Sequence, residues 1–226
     1  HNESNAIWHL IYQSIQHLTF KWKYYIIKKH IKGGNLLDIG GGKGDFAKYV
    51  SEMGWKVSLQ DTIFLSKKVD TNYSLFKKLS DINPQRKFDI ITLWHSLEHI
   101  HDTKDLFINI RRLLKDDGIL MIAVPNHNAP ERKFYKEKWA PYDAPRHLYH
   151  FNFDILSKLC RQNGYYVIQK YSIYQDLPYN ILLSLRNYSV FEVFKAALIL
   201  FYSIIYTLCA GPKFSSSILL VCKKSS

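Results

Sequence analysis

Cysteine is scarce in this sequence, and its few cysteines are far apart. Cys160, Cys209 and Cys222 are the only ones among 226 residues, and their spacing fits neither a disulfide framework nor a structural zinc site. We therefore expect a reducing, cytoplasmic compartment. Internal repeats, low-complexity tracts and the apolar core of a secretory signal are also missing, and a chain of this length is expected to form one domain with appendages.

Acidic residues are outnumbered by basic ones. The chain has 31 Lys and Arg against 19 Asp and Glu, which gives a formal net charge of +12. Such an excess predicts an anionic partner, which could be nucleic acid, phospholipid headgroups or a phosphorylated substrate. A solvated basic surface without any such partner is the alternative.

Long apolar runs are missing except at residues 196–210, which Gly211 and Pro212 end. This run is shorter than the ~20 residues that a membrane-spanning helix needs. Length therefore favours a buried or dimer-forming helix. Two other interpretations stay open, a lid over a lipid-like acceptor and an interfacial anchor on the anionic inner membrane, aided by positive charge.

Strand-like and helical segments alternate along the chain. Helical periodicity covers residues 7–30, 45–53, 104–114 and 153–163, and an Asp-Asp-Gly stop at 116–118 follows the third of these helices. Strands are predicted at 36–39, 57–60, 88–93, 119–124, 165–173 and 218–222, with a less distinct one within 73–79. This alternation favours an α/β sheet.

A glycine-rich turn follows the first predicted strand, with the sequence DIGGGKG at residues 38–44. Glycines allow the sharp passage from strand to helix and the close approach of a nucleotide. Asp61 ends the next strand, where its carboxylate could accept both ribose hydroxyls, although a helix N-cap is the alternative. A phosphate-binding P-loop is disfavoured because no Gly-Lys-Ser or Gly-Lys-Thr is present, and the acidic Asp38 and Asp45 suit a cationic sulfonium better than a pyrophosphate.

Four segments together resemble the class I S-adenosylmethionine-dependent methyltransferases. They are residues 36–44, 88–99, 113–118 and 124–126. Residues 139–151 look like the branch related to ubiquinone-biosynthesis O-methyltransferases. The resemblance implies a Rossmann-like fold with a seven-stranded sheet, mostly parallel, whose last strand is antiparallel.

The resemblance also implies a set of cofactor-binding residues. Asp38, Gly40 and Gly42 are expected near the methionyl part, and Asp61 with Thr62 near the ribose. Asp81 and Ile82 are expected near the adenine, and Trp94 with His95 on the far side of the cofactor.

Histidines supply the candidate catalytic groups. His147 is the favoured general base because an imidazole titrates near neutral pH, and His95 and His99 are further candidates. A structural hydrogen bond is the alternative role for each. His95, Glu98 and His99 stand at helical positions i, i+3 and i+4 and could bind a divalent metal together with His147. Metal-using relatives have Glu where this chain has His95.

These observations predict a methyltransferase domain at 35–226 behind a helical appendage at 1–34. A lid insertion is expected at 126–150 and an apolar helical insertion at about 176–212. The expected reaction is O-methylation of a small-molecule or lipid- or glycan-linked acceptor, and a homodimer is possible on this interpretation. Rival hypotheses are a nucleic-acid-directed methyltransferase, a catalytically silent binding module and an NAD-dependent oxidoreductase. Trp-His-Ser-Leu at 94–97 replaces the Asn-Pro-Pro-Tyr motif of base N-methylation, which argues against nucleic acid.

Overall fold

The structure, a computed structural model, describes residues 2–62, 73–185 and 189–225, with side chains from Gln16 onward. Within these ranges the strands are β1 (Asn35–Ile39), β2 (Lys56–Gln60), β3 (Ser74–Phe76), β4 (Phe88–Trp94), β5 (Leu114–Pro125), β6 (Tyr165–Ser172) and β7 (Ser217–Lys224). The α-helices are α1 (Asn2–His30), α2 (Asp45–Glu52), α3 (Thr103–Leu113), α4 (Arg132–Tyr135), α5 (Phe153–Gln162), α6 (Asp176–Ser184) and α7 (Val190–Ala210).

The described strands form one sheet in the order β3-β2-β1-β4-β5-β7-β6. Neighbours from β3 to β5 pair in parallel, and β7 runs antiparallel to both β5 and β6. The predicted fold class is therefore confirmed. Strand order reverses between β1 and β4, so a ligand crevice is expected where these two strands end.

The apolar core lies on both faces of the sheet. Alternate residues of β1 point to opposite sides, so Leu37 belongs to a cluster with α3 and α5 whereas Leu36 belongs to one with α1 and α2. A third cluster joins the segment after β5 to α6 and α7 through Trp139, Ile181 and Ile199. The predicted helix at 7–30 is confirmed, but its side chains before Gln16 lie outside the described residues.

The predicted helix stop at 116–118 is wrong. Helix α3 ends at Leu113, and Leu114 already has extended backbone angles and pairs with Phe88. Residues 116–118 therefore lie in β5, where the Lys224 ammonium bonds to the Leu114 carbonyl at 2.7 Å and to Asp116 at 2.9 Å. The register of β4 and β5 shifts between Phe88 and Ile90, so residues 115–118 form an irregularity within β5.

Helix α7 is longer and more exposed than the sequence predicts. By length and composition alone it is long and apolar enough to cross a membrane, although 22% of its most apolar stretch is buried against the protein. The length argument for a buried helix is therefore wrong. Only the stripe of Ala196, Ile199, Ser203 and Thr207 is buried among its residues.

Candidate functional site

The glycine turn between β1 and α2 needs glycine for steric reasons. Gly40, Gly42 and Gly44 have φ values of 69°, 58° and 80°, a region that residues with a Cβ atom rarely adopt. A Cβ on Gly40 would lie 2.5 Å from that of Ser96, and one on Gly41 would collide with Leu59. A Cβ on Gly42 would meet no described atom within 4 Å, so the turn presents bare backbone to open space there.

Asp61 ties this turn to the end of β2. The Gly42 amide donates a hydrogen bond to Asp61 Oδ2 at 2.8 Å, and the Asp61 side chain is buried. In this structure the carboxylate therefore braces the glycine turn. Its role at a ribose stays a prediction, as does that of Thr62, which is exposed at the end of the described segment.

Asp38 places a buried carboxyl group beside the turn. The Thr92 hydroxyl donates to Asp38 Oδ1 at 2.6 Å across the β1–β4 pair. Burial raises the pKa of Asp38 to about 6, even though the Thr92 bond and the Lys23 ammonium both lower it. A cationic ligand bound here would stabilise the charged form.

Lys23 on α1 is part of the site, and the sequence analysis missed it. Its Nζ lies 4.6 Å from the Trp94 ring centre and 5.2 Å from that of Phe46. Burial lowers the pKa of Lys23, while Asp38 and Asp176 raise it. A lysine beside Trp22 on an otherwise apolar helix face was the available signal, because such a position requires a buried partner.

Helix α1 covers one side of a cavity of about 240 Å³ that lies next to the turn. Its walls include the glycines at 40–42, Asp38, Asp45 and Trp94. A larger cavity of about 350 Å³ lies beside Asp89 and Lys223, at the amino ends of the parallel strands. We place the site in the smaller cavity because α/β sheets bind ligands at the carboxyl ends of their strands.

His95 is held as a cation between two carboxylates. It has a positive φ of 54°, its Nε2 lies 2.9 Å from Asp176 Oδ2, and its Nδ1 lies 3.6 Å from Glu98 Oε1. Burial lowers its pKa, but Asp176 and, more weakly, Glu98 raise the pKa of His95 to about 10. His95 therefore fastens the start of α6 to the end of β4, and Asp176 is a second site residue that the sequence analysis missed.

Glu98, His99 and His147 come together beside this pair. Their potential ligand atoms all lie within 4.8 Å of one another, and the two imidazole centres are 4.7 Å apart. His99 Nδ1 is 2.9 Å from the Arg146 carbonyl, and His147 Nδ1 is 2.7 Å from the Pro141 carbonyl. Because a carbonyl only accepts, each Nδ1 donates its proton to it, and the Nε2 of His147 faces Asp143 Oδ2 at 3.8 Å.

Glu98 adds an unsatisfied carboxylate to this group. It is 1% exposed, its nearest described cation is His95 at 3.6 Å, and neither of its carboxylate oxygens has a hydrogen-bond donor among the described residues. A buried carboxylate without a donor is costly. The group of Glu98, His99 and His147 can therefore receive a proton or a cation.

Comparison with known proteins decides the family. Residues 12–170 match the family described as Methyltransferase domain. The chain belongs to this methyltransferase family. Over 112 residues the methyltransferase is 29% identical to the ubiquinone biosynthesis O-methyltransferase of Glaesserella parasuis serovar 5 (strain SH0165), a match that covers 43% of this chain and 48% of that protein. The methyltransferase thus spans about half the length of this curated relative.

Solved structures share the fold of the methyltransferase. Phosphoethanolamine N-methyltransferase 2 of Haemonchus contortus in complex with S-adenosyl-L-methionine has 19% identity and a TM-score of 0.57, over 91% of this chain and 53% of that chain. The 1,6-didemethyltoxoflavin-N1-methyltransferase of Burkholderia thailandensis, with its substrate and S-adenosylhomocysteine, has 15% identity and a TM-score of 0.59, over 100% and 90%. The fold is thus that of the class I S-adenosylmethionine-dependent methyltransferases, as the sequence predicted.

Two predicted adenine contacts are engaged elsewhere in the methyltransferase. Asp81 ends a 3-10 turn at Leu79–Asp81, and its Oδ2 accepts the Lys78 amide at 3.0 Å. Ile82 is fully buried in the core. The role of both residues at an adenine stays a prediction. The structure does bring together Asp38, Gly40, Gly42 and Trp94, and Glu98 lies between His95, at 3.6 Å, and the histidines His99 and His147.

Proposed function

We propose that the methyltransferase transfers a methyl group from S-adenosylmethionine to an oxygen atom of a small-molecule or lipid-linked acceptor. The observation that carries the oxygen assignment is the hydrogen bond from His147 Nδ1 to the Pro141 carbonyl. It leaves Nε2, 3.8 Å from Asp143 Oδ2, as the nitrogen that can take the proton a hydroxyl acceptor must lose. The O-methyltransferase of Glaesserella parasuis supports the same assignment.

The charges around the glycine turn suit the zwitterionic end of this cofactor. Asp38 can pair with its ammonium or sulfonium group, and the Lys23 ammonium can pair with its carboxylate. The bare backbone at Gly42 leaves room for the nucleoside. When bound, S-adenosylmethionine supplies a methyl group on sulfur that is already activated for transfer.

The remaining chemistry falls to the chain's own residues. Positioning of the acceptor oxygen in line with the sulfur–methyl bond provides most of the rate. As the carbon–oxygen bond forms and the carbon–sulfur bond breaks, sulfur keeps the electron pair and His147 Nε2 takes the hydroxyl proton. The Pro141 carbonyl fixes the tautomer that makes this possible.

Substitution of His147 tests this role. We expect His147→Ala to lower kcat for methylation of catechol by about 10²–10⁴, while the affinity for S-adenosylhomocysteine changes little. Release of S-adenosylhomocysteine measures the rate, and His101→Ala is the matched control because that side chain is exposed nearby. Unchanged turnover in His147→Ala, or methylation of phosphoethanolamine but not of catechol, would contradict the proposal.

A divalent cation on Glu98, His99 and His147 is a second candidate for the same site. The carbonyls of Arg146 and Pro141 orient the imidazoles as such outer partners do in metal sites, and the buried Glu98 carboxylate has no hydrogen-bond donor among the described residues. A bound cation would act as a Lewis acid toward the acceptor. His147 could not then also serve as the base.

Calorimetry separates the two candidates. The metal hypothesis predicts that Mg²⁺, Mn²⁺ or Zn²⁺ releases or absorbs heat with the wild-type protein and not with Glu98→Gln, which keeps the shape and removes the charge. Glu137→Gln is the control because Glu137 is exposed. Absence of heat and of activation with all three ions would eliminate the metal and leave the base.

The rival hypotheses made from the sequence are less well supported. An NAD-dependent oxidoreductase and a nucleic-acid-directed enzyme each lack a supporting match among the relatives described above. The predicted cytoplasmic location stays a prediction, as does a homodimer.

A further inference from the structure

Helix α7 turns an apolar surface outward. Nine of its large apolar side chains are exposed, from 41% at Tyr202 to 89% at Val190. The adjoining α6 adds three more, which are Tyr179, Leu182 and Leu183. We call these twelve side chains the α6–α7 face. Soluble proteins rarely expose so large a contiguous apolar patch unless something covers it.

The opposite side of α7 holds the helix flat against the protein. Ala196, Ile199, Ser203 and Thr207 are buried at intervals of three or four residues, and Ile199 packs in one cluster with Leu177 of α6. The Thr207 hydroxyl also donates to the Phe214 carbonyl at 3.1 Å. A helix anchored along one side through most of its length can lie in a bilayer surface but cannot span the bilayer in this fold.

Basic residues border the α6–α7 face. Lys133 Nζ lies 6.0 Å from the Tyr206 ring centre of α7, and the Phe134 ring is 5.4 Å from that of Tyr202. The basic run continues with the exposed Lys136 and Lys138, and α7 itself carries the exposed Lys195. Glu137 and Glu192 are the acidic residues in these segments.

The charge decides between a lipid surface and a second copy of the chain. A second copy would bring the same basic border and the same net charge of +12, so the two would repel each other at long range. An anionic bilayer attracts each Lys or Arg side chain that lies near its surface. We propose that the α6–α7 face docks the protein onto an anionic phospholipid bilayer, with α7 lying in the plane of the membrane.

This docking would also orient the candidate site. Helix α6 begins at Asp176, which binds His95, and two turns later exposes Leu182 and Leu183. The site and the α6–α7 face are therefore linked by one short helix. The inference does not depend on the proposed methyl transfer, since it concerns binding alone.

Vesicle binding tests the surface. We expect the protein to co-float with vesicles of phosphatidylcholine and phosphatidylglycerol in equal parts, and to be released by high salt. Phe194→Glu/Phe201→Glu should weaken binding at least about tenfold, because each change removes a large apolar contact and adds a charge. Ile108→Glu/Ile155→Glu is the matched control, with exposed isoleucines on α3 and α5. Circular dichroism checks that both variants fold.

Labelling at the two ends of α7 tests the orientation. Cys209 is exposed on α7, whereas Cys160 and Cys222 are buried, so a spin label attaches there without further change. Cys209→Ser/Phe191→Cys places the label at the other end. Equal shallow depths support the in-plane arrangement. Failure to float, a loss of floating equal in the control variant, labels on opposite sides of the bilayer, or a dimer cross-linked through Cys209 without lipid binding would overturn it.

Discussion

Asp38 shows how one residue sets a conflict between stability and function. Its carboxyl group is buried beside the glycine turn, where a charge is unfavourable without a ligand. The bond from Thr92 offsets part of that penalty but leaves the pKa at about 6. The residue that is suited to attract a cationic cofactor therefore destabilises the free protein.

This conflict predicts a pH dependence of stability. The folded pKa of Asp38 lies above its ordinary 3.8, so the folded state binds the proton more tightly than the unfolded state. The charged carboxylate then destabilises the fold by roughly 2–3 kcal/mol above the folded pKa, and the effect fades as the pH falls toward the ordinary value. We expect Asp38→Asn to be more stable than wild type at neutral pH, as measured by urea unfolding.

The matched control is Asp117→Asn, because Asp117 is exposed. It should keep the wild-type pH profile, whereas Asp38→Asn should lose this part of the slope. Parallel profiles for wild type and Asp38→Asn would show that Asp38 is not the titrating group. The same variant is expected to bind S-adenosylhomocysteine more weakly, because the amide carries no charge for the cofactor's ammonium group.

At the scale of elements, α1 completes the cavity that β1 and β4 begin. Phe20 of α1 lies 5.6 Å from Phe46 of α2, and Trp22 lies 6.4 Å from Trp94. Gln16 Nε2 reaches Asp45 Oδ2 at 3.5 Å. These contacts put Lys23 over the glycine turn, so α1 contributes to binding as well as to packing.

Removal of the Lys23 charge tests that contribution. We expect Lys23→Met, which keeps the apolar stem, to weaken S-adenosylhomocysteine binding about tenfold, the size of one charge-assisted hydrogen bond. Stability should change little, since the Lys23 side chain is only partly buried. Titration calorimetry measures the affinity, and Lys21→Met is the control on an exposed position. Equal affinities in the two variants would place Lys23 outside the binding site.

Elements were predictable where their signal is local. Alternating apolar residues and the glycine turn gave β1, α2, β2 and β4 to within about two residues, as expected where pattern and burial agree. The start of β5 was missed because its pairing with β4 and the bonds from Lys224 are contacts between distant parts of the chain. The length of α7 was missed because the helix begins at Val190, whereas Glu192 and Lys195 interrupt the apolar run and placed its predicted start at residue 196.

The site residues were also predictable only where their signal is local. Asp38 and the glycines belong to one short motif, so the sequence identified them, and His99 with His147 were named as candidates. Lys23 and Asp176 were missed because their roles depend on where α1 and α6 pack. Spacing alone pairs His95 with Glu98, but its closer carboxylate is Asp176, at 2.9 Å against 3.6 Å, and Asp176 comes from another element.

For the whole molecule, ligand binding should appear as added stability. We expect S-adenosylhomocysteine to raise the Tm, with about 2.7 kcal/mol of stabilisation at one hundred times its Kd, whereas NAD should leave the Tm unchanged. Differential scanning fluorimetry measures both, and Asp38→Asn is the control that should respond less. A Tm raised by NAD alone would favour the oxidoreductase hypothesis.

The sheet order has a further consequence for the way this molecule can change. Ser172 at the end of β6 is paired with Ile218 near the start of β7, so the chain leaves the sheet for residues 173–216 and returns to the adjacent position. A tight hairpin could join the same two strands. The part of this excursion beyond Asp176, which binds His95, is thus a replaceable segment, and exchanging it could redirect the enzyme to a different cellular surface without rebuilding the nucleotide crevice.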